Sequence, residues 1–194
     1  MNILIILVIN LGLIGLVKIT NHYYKLSHFW TRKFLHTTSA LVIAFYAIFL
    51  VDQTQYLILT FAFTFLYFLL FFGKKFQEIE ENKYTNWGTP LYPFALFVIG
   101  FFLFNKLHYL QFVILLLGIP DVIAGVYDRL KGKIKSIKAS LVYFSFALIL
   151  AVCYLPIIPA VLITLLLTLI ERYTPKGFDN LSVPVVAAII LALF

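Results

Sequence analysis

The chain has 194 residues, 63% of them hydrophobic and only 12% charged, with a formal net charge of +7. Soluble domains run about 45–50% apolar and about 25% charged, so this composition excludes an ordinary water-soluble globule. Apolar runs of bilayer-crossing length recur throughout, without the period-two alternation of a membrane barrel. The expected fold is all-α, a polytopic helical bundle forming a single integral membrane domain.

Eight apolar segments follow in chain order: 3–19, 34–51, 56–73, 89–105, 109–127, 139–155, 157–170 and 181–194. The first lacks the basic start and small-residue cleavage site of a signal peptide, so it reads as a retained helix. The last two are short for a straight span of about 20 residues, which leaves seven or eight transmembrane helices. Lys and Arg collect on cytoplasmic loops. With the N-terminus outside, fourteen of the 15 Lys and Arg residues fall on inner loops, and only Lys106 falls on an outer one. The motif-bearing loops 20–33, 74–88, 128–138 and 171–180 are therefore expected in the cytoplasm. A prokaryotic cytoplasmic membrane is the expected location, or the endoplasmic reticulum in a eukaryote. The positive charge then reflects topology and not nucleic-acid binding. The lone Cys153 permits neither an intramolecular disulfide nor a cysteine metal site.

The polar residues cluster in blocks. Arg32, Lys33 and His36 fall on one side of a helix through the i, i+4 relation and suit phosphate; taken alone they equally suit inner-face anchoring. The acidic run at 78–81 reads as a charge-balanced loop beside Lys74 and Lys75. Gly88 and Thr89 offer donors to an anion, while Trp87 and Tyr92 fit an interfacial aromatic belt. Asp121 lies about two turns inside an apolar segment. Acids there are costly, and they usually face protein or a watery cavity and act on ions or substrate. Asp128 is seven residues on, on the same face. Between Arg129 and Lys138 stand five cations with Gly132 and Ser136, a cradle for polyphosphate or for anionic lipid headgroups. No P-loop is present. Glu171, Asp179 and Asn180 complete the set with oxygen ligands suited to Mg2+.

In order, these blocks resemble the polyprenol kinase family, which includes dolichol kinase, phytol kinase and CTP-dependent diacylglycerol kinases. Arg32, Lys33 and His36 match R-K-x-x-H. Gly88, Thr89 and Pro93 loosely match G-T-x-x-x-P. Asp121, Ala124 and Arg129 match D-x-x-A followed by Gly-Arg, and Lys135, Ser136 and Ser140 match part of K-S-x-E-G-S. Glu171, Pro175, Gly177, Asp179, Asn180, Leu181, Val183 and Pro184 match E-x-x-x-P-x-G-x-D-N-L-x-V-P throughout. Three positions depart: Asp128 stands where the family has Gly, Lys138 where it has Glu, and Ala139 where it has Gly. Lys138 is expected either on phosphate or turned to solvent. Asp128 is expected to act as a compensating acid if the Gly132 loop folds back.

The resemblance implies a membrane kinase that moves the terminal phosphoryl group of CTP, or of ATP, to a prenol-type or diacylglycerol hydroxyl, with the tail in a groove between helices. Asp121 and Asp179 would hold Mg2+. Catalytic roles would fall to Asp121, Asp179, Glu171 and His36, with Asp121 accepting the hydroxyl proton. Phosphate would meet Arg32, Lys33, Arg129, Lys135, Ser136 and Asn180. The implied partners are a lipid alcohol and membrane lipids. Two other readings stay open: a phosphatidate cytidylyltransferase-like or CDP-linked phospholipid synthase, and a non-catalytic transporter or lipid-binding scaffold. The former lacks its full acidic motif here, and no inverted repeat supports a transporter.

Overall fold

The computed structural model describes residues 8, 9, 11–13, 15, 16, 19, 20, 23, 27–47, 52–73, 87–175 and 177–194. Most of the first apolar segment, the acidic run at 78–81, and Lys18, Lys25, Lys74, Lys75, Lys83, Asn86 and Lys176 lie outside the described residues.

Among the described residues the chain forms eight helices and no strand: α1 (His28–Ala47), α2 (Gln53–Phe72), α3 (Gly88–Leu103), α4 (Leu107–Gly118), α5 (Pro120–Leu130), α6 (Ile137–Ala151), α7 (Ile157–Tyr173) and α8 (Asp179–Ala192). Two helices are long and apolar enough to cross a membrane: α2, and the 24-residue run Leu107–Leu130 made of α4 and α5 together. That run was expected as one segment, and it breaks at Ile119. Proline cannot donate to the helix ladder and clashes with the carbonyl four residues back. Pro120 therefore opens α5, where its missing N–H is no loss.

Charged residues expected in loops lie instead in terminal helical turns. Arg32 and Lys33 sit in the second turn of α1, Arg129 in the last turn of α5, Glu171 in the last turn of α7, and Asp179 opens α8. Helix ladders continue past the point where apolar runs stop, so reading the runs shortened these elements.

The centre of the bundle is α4, which packs against α1, α3, α5, α6 and α8. Its residues from Phe112 to Gly118 are all buried. The α1–α4 crossing is close because both helices present small residues there. A methyl added at Gly118 would lie 2.2 Å from Ala40 Cβ, and Thr37 Oγ1 donates to the Gly118 carbonyl at 3.0 Å. Gly118→Ala is therefore expected to cost about 1–3 kcal/mol by overpacking. Adding Ala40→Gly should recover part of that loss, read as the thermal midpoint of the detergent-purified protein. Equal midpoints for Gly118→Ala and the parent would show that this crossing does not fix the bundle.

Candidate functional site

One end of the bundle gathers the ends of α1, α5, α6, α7 and α8 around a cavity of about 310 Å³. Nine of the ten expected site residues line it: Arg32, Lys33, His36, Asp121, Arg129, Lys135, Glu171, Asp179 and Asn180. Five cations (Arg32, Lys33, Arg129, Lys133 and Lys135) face four carboxylates (Asp121, Asp128, Glu171 and Asp179).

Asp121, Glu171 and Asp179 each present a carboxylate oxygen within 4.8 Å of the others. Helix ends place them. Asp121 occupies the first turn of α5 and Asp179 the first position of α8, where the positive end of the helix dipole favours an acid. Glu171 is in the last turn of α7, where the dipole disfavours it, and a cation stands beside it. Lys135 Nζ lies 2.9 Å from Asp179 Oδ2 and 3.8 Å from Glu171 Oε1. It also donates to the Glu171 and Thr174 carbonyls, closing the C-terminus of α7. Lys135 holds φ 48°, in the left-handed region. A non-glycine residue there costs about 1–3 kcal/mol, so this contact set must over-determine its conformation.

On the opposite side, Lys33 Nζ pairs with Asp121 Oδ2 at 2.7 Å, and both side chains are largely buried. Gly125 makes room for that ammonium, since a methyl there would lie 2.9 Å from Lys33 Nζ. The second oxygen of Asp179 accepts from the backbone of Gly177 and Asn180, each at 3.1 Å. The turn before it needs glycine, because Gly177 has φ 96°.

The remaining predicted residues take varied places. Arg32 lines the cavity with no hydrogen bond or ion pair among the described residues. The Arg129 guanidinium lies over the Phe29 ring, 5.4 Å from its centroid. Asn180 donates to the Gly88 carbonyl at 2.8 Å and so ties α8 to α3. Ser136 does not line the cavity. Its hydroxyl caps α6 by accepting from Ala139 N at 3.1 Å, and donates to Asp128 Oδ1 at 2.5 Å.

Asp128 also accepts from Ser136 N at 3.0 Å. The Gly132 loop thus folds back, with Gly132 at φ 62°, and this acid closes the basic loop on itself. Lys138 is exposed to solvent. Asp128 is held by Ser136 and lines the charged cavity.

Three further residues were not singled out as site residues. Tyr143 lies beneath the carboxylates, sharing a small cavity with Asp121, Glu171 and Asp179. Its hydroxyl is buried with no hydrogen-bond partner among the described residues, as are Thr89 Oγ1, Tyr92 Oη and His36 Nε2. Tyr92, expected in an aromatic belt, is buried against His36 with ring centroids 4.1 Å apart. Ser136, Ser140 and Tyr143 share one helical face, and that spacing was the one available signal for Tyr143.

Compared with known proteins, the chain matches no family model, no curated protein and no solved structure. The chemistry must therefore be read from the residues. Two oxygens on one Mg2+ lie at most about 4.2 Å apart, since each bonds at about 2.1 Å. Of three such oxygens only one pair can lie opposite and adjacent ones lie about 3.0 Å apart, so the carboxylates would draw together by up to about 2 Å to hold that ion. Lys33 and Lys135 balance their charge in this structure.

Proposed function

We propose that the protein is a polytopic membrane lipid-alcohol kinase, related to the polyprenol kinases, using CTP or ATP. The observation that carries the reading is the convergence of Asp121, Glu171 and Asp179 inside a cation-lined cavity. Phosphoryl transfer asks a protein for positioning and charge stabilisation more than for covalent chemistry. A metal site in a cation-lined cavity would supply both.

The membrane reading draws support from the surface. Ile58, Phe61, Phe65, Leu69 and Phe72 make an exposed apolar stripe along α2, and Ile158, Leu162, Leu165 and Leu169 another along α7. Contiguous apolar faces of this extent suit hydrocarbon and not water.

In the proposed mechanism Asp121 and Asp179, with Glu171, would hold Mg2+, which would neutralise phosphate charge. Arg32, Arg129 and Lys133 bind the polyphosphate by charge-assisted hydrogen bonds. Lys33 holds the Asp121 carboxylate in place, and Gly125 keeps the space for Lys33. The acceptor oxygen forms its bond to the terminal phosphorus as the bridging P–O bond breaks. The nucleoside diphosphate leaves and Asp121 takes the hydroxyl proton.

The test is purified protein with labelled CTP or ATP, Mg2+, and a panel of prenols and diacylglycerol. Labelled lipid phosphate supports the reading; transfer to no alcohol overturns it in favour of a scaffold. Orientation has its own test. The exposed Cys153 is first replaced by Ser. Single cysteines at Lys133 and Gln53 should then be labelled from opposite sides of the membrane, Lys133 from the cytoplasm. Labelling of both from one side would overturn the topology.

A further inference from the structure

A second, narrow cavity of about 40 Å³ runs between α1, α2 and α3. Its walls are mostly apolar, with Ile43, Leu59, Phe63 and Leu96 among them. Between it and the charged cavity lies a third space, also about 40 Å³. This middle space shares Ser39, Tyr67 and Tyr92 with the apolar groove, and Arg32, His36 and Asn180 with the charged cavity. The three cavities adjoin one another in a row, from the apolar groove to the carboxylates.

The middle space carries an unusual set of atoms. His36 Nε2, Thr89 Oγ1 and Tyr92 Oη belong to residues of its lining, and all are buried without a hydrogen-bond partner among the described residues. Their residues are 8%, 9% and 9% exposed, so bulk solvent does not serve them. Buried polar groups are nearly always paired, and an orphan costs about 1–3 kcal/mol. Three around one small space mark the place of a missing polar partner. Two are hydroxyls, which both donate and accept, and the third is an imidazole nitrogen. A hydroxyl, which donates and accepts, satisfies such a set whichever way each group turns.

We infer that the acceptor is a single-chain lipid alcohol whose tail lies in the α1–α2–α3 groove and whose hydroxyl docks among His36, Thr89 and Tyr92. This deepens the kinase reading and rests on it. Geometry sets the class of tail. From His36 to Tyr46 is ten residues of α1, about 15 Å of axial rise. Spaces of about 40 Å³ each along that length leave no room for two chains side by side. A single-chain alcohol fits, whereas diacylglycerol would have to leave one chain outside. The hydroxyl then stands at the threshold of the charged cavity, beside Arg32.

The experiment uses the unaltered protein in lipid nanodiscs with geranylgeraniol carrying a diazirine at its tail end. After illumination, adducts are mapped by mass spectrometry. Adducts on the groove segments of α1, α2 and α3, competed by unlabelled geranylgeraniol, support the inference whether or not transfer occurs. Transfer to geranylgeraniol with adducts elsewhere overturns the groove and leaves the kinase reading standing. Groove adducts without transfer to any alcohol keep the groove and sink the kinase. A kinetic arm adds Ile43→Trp, which fills the bore about 10 Å along α1 from His36. It should lower kcat/KM for geranylgeraniol at least about ten-fold relative to geraniol. An unchanged ratio, or a parent enzyme that prefers diacylglycerol to both, overturns the single-chain assignment.

Discussion

Asp121→Asn and Asp179→Asn should each reduce phosphoryl transfer by about 10²–10³-fold, the usual consequence of deleting one pre-placed charge from a reacting centre. The two variants should differ in stability. Asp121 is the salt-bridge partner of a buried Lys33. Removing its charge leaves that ammonium unpaired, and breaking a buried pair from one side costs about 3–5 kcal/mol. Asp179 has Lys135 on one oxygen and two backbone N–H groups on the other. An amide keeps an oxygen for those N–H groups, and removing the charge relieves repulsion from Asp121 and Glu171. Asp179→Asn should therefore stay near the parent's thermal midpoint while losing activity, and Asp121→Asn should lose both. Rates are compared per folded protein, and Mg2+ is titrated in each assay. A change below ten-fold in Asp179→Asn would remove that residue from the metal and the mechanism from this cavity.

The carboxylate site was legible because acids near apolar segments carry a thermodynamic penalty that demands a reason. Asp121, Glu171 and Asp179 stand out in such a chain, and helix ends bring them within 4.8 Å of one another. Lys135 was legible as a cation in a basic loop, but its target was not. Its carboxylate partners lie 36 and 44 residues further along the sequence, and only the packing of α6 against α7 and of α7 against α8 brings them together. Ser136 misled for a local reason. A serine preceding a helix is first of all a cap, and its hydroxyl serves the α6 backbone and Asp128. Thr89 and Tyr92 read only as an anion donor and a belt residue, and Tyr143 carried no more than its spacing from Ser136 and Ser140 in a sequence holding 12 tyrosines. What sets them apart is an unpartnered hydroxyl, a property of three-dimensional packing alone. The helical segments were legible from apolar runs, but their ends were not, because α1 and α7 carry their charged turns inside the helix.

Lys135→Met should make the stability of the protein depend strongly on Mg2+. The ammonium of Lys135 stands between Asp179 and Glu171 and closes the carbonyl end of α7. Without it, three carboxylates face one another with only Lys33 beside them, and two carbonyls lose their donor. Unpairing partly buried acids costs about 3–5 kcal/mol. Methionine retains most of the aliphatic stem, so the loss reports charge more than volume. The left-handed backbone at position 135 then loses the contacts that held it. In metal-free buffer the thermal midpoint should fall well below the parent's. A divalent cation on the same carboxylates would replace the missing charge. Binding only to the folded state adds about 2.7 kcal/mol of stability at a free concentration 100 times Kd. Millimolar Mg2+ should thus return most of the lost midpoint in Lys135→Met and shift the parent less, because in the parent the ion must compete with Lys135. A matched ionic strength of NaCl should do neither, which separates a bound ion from general screening. If Mg2+ and NaCl act alike in Lys135→Met, Asp121, Glu171 and Asp179 form a salt-bridge cluster that fastens α5, α7 and α8, and no metal belongs there.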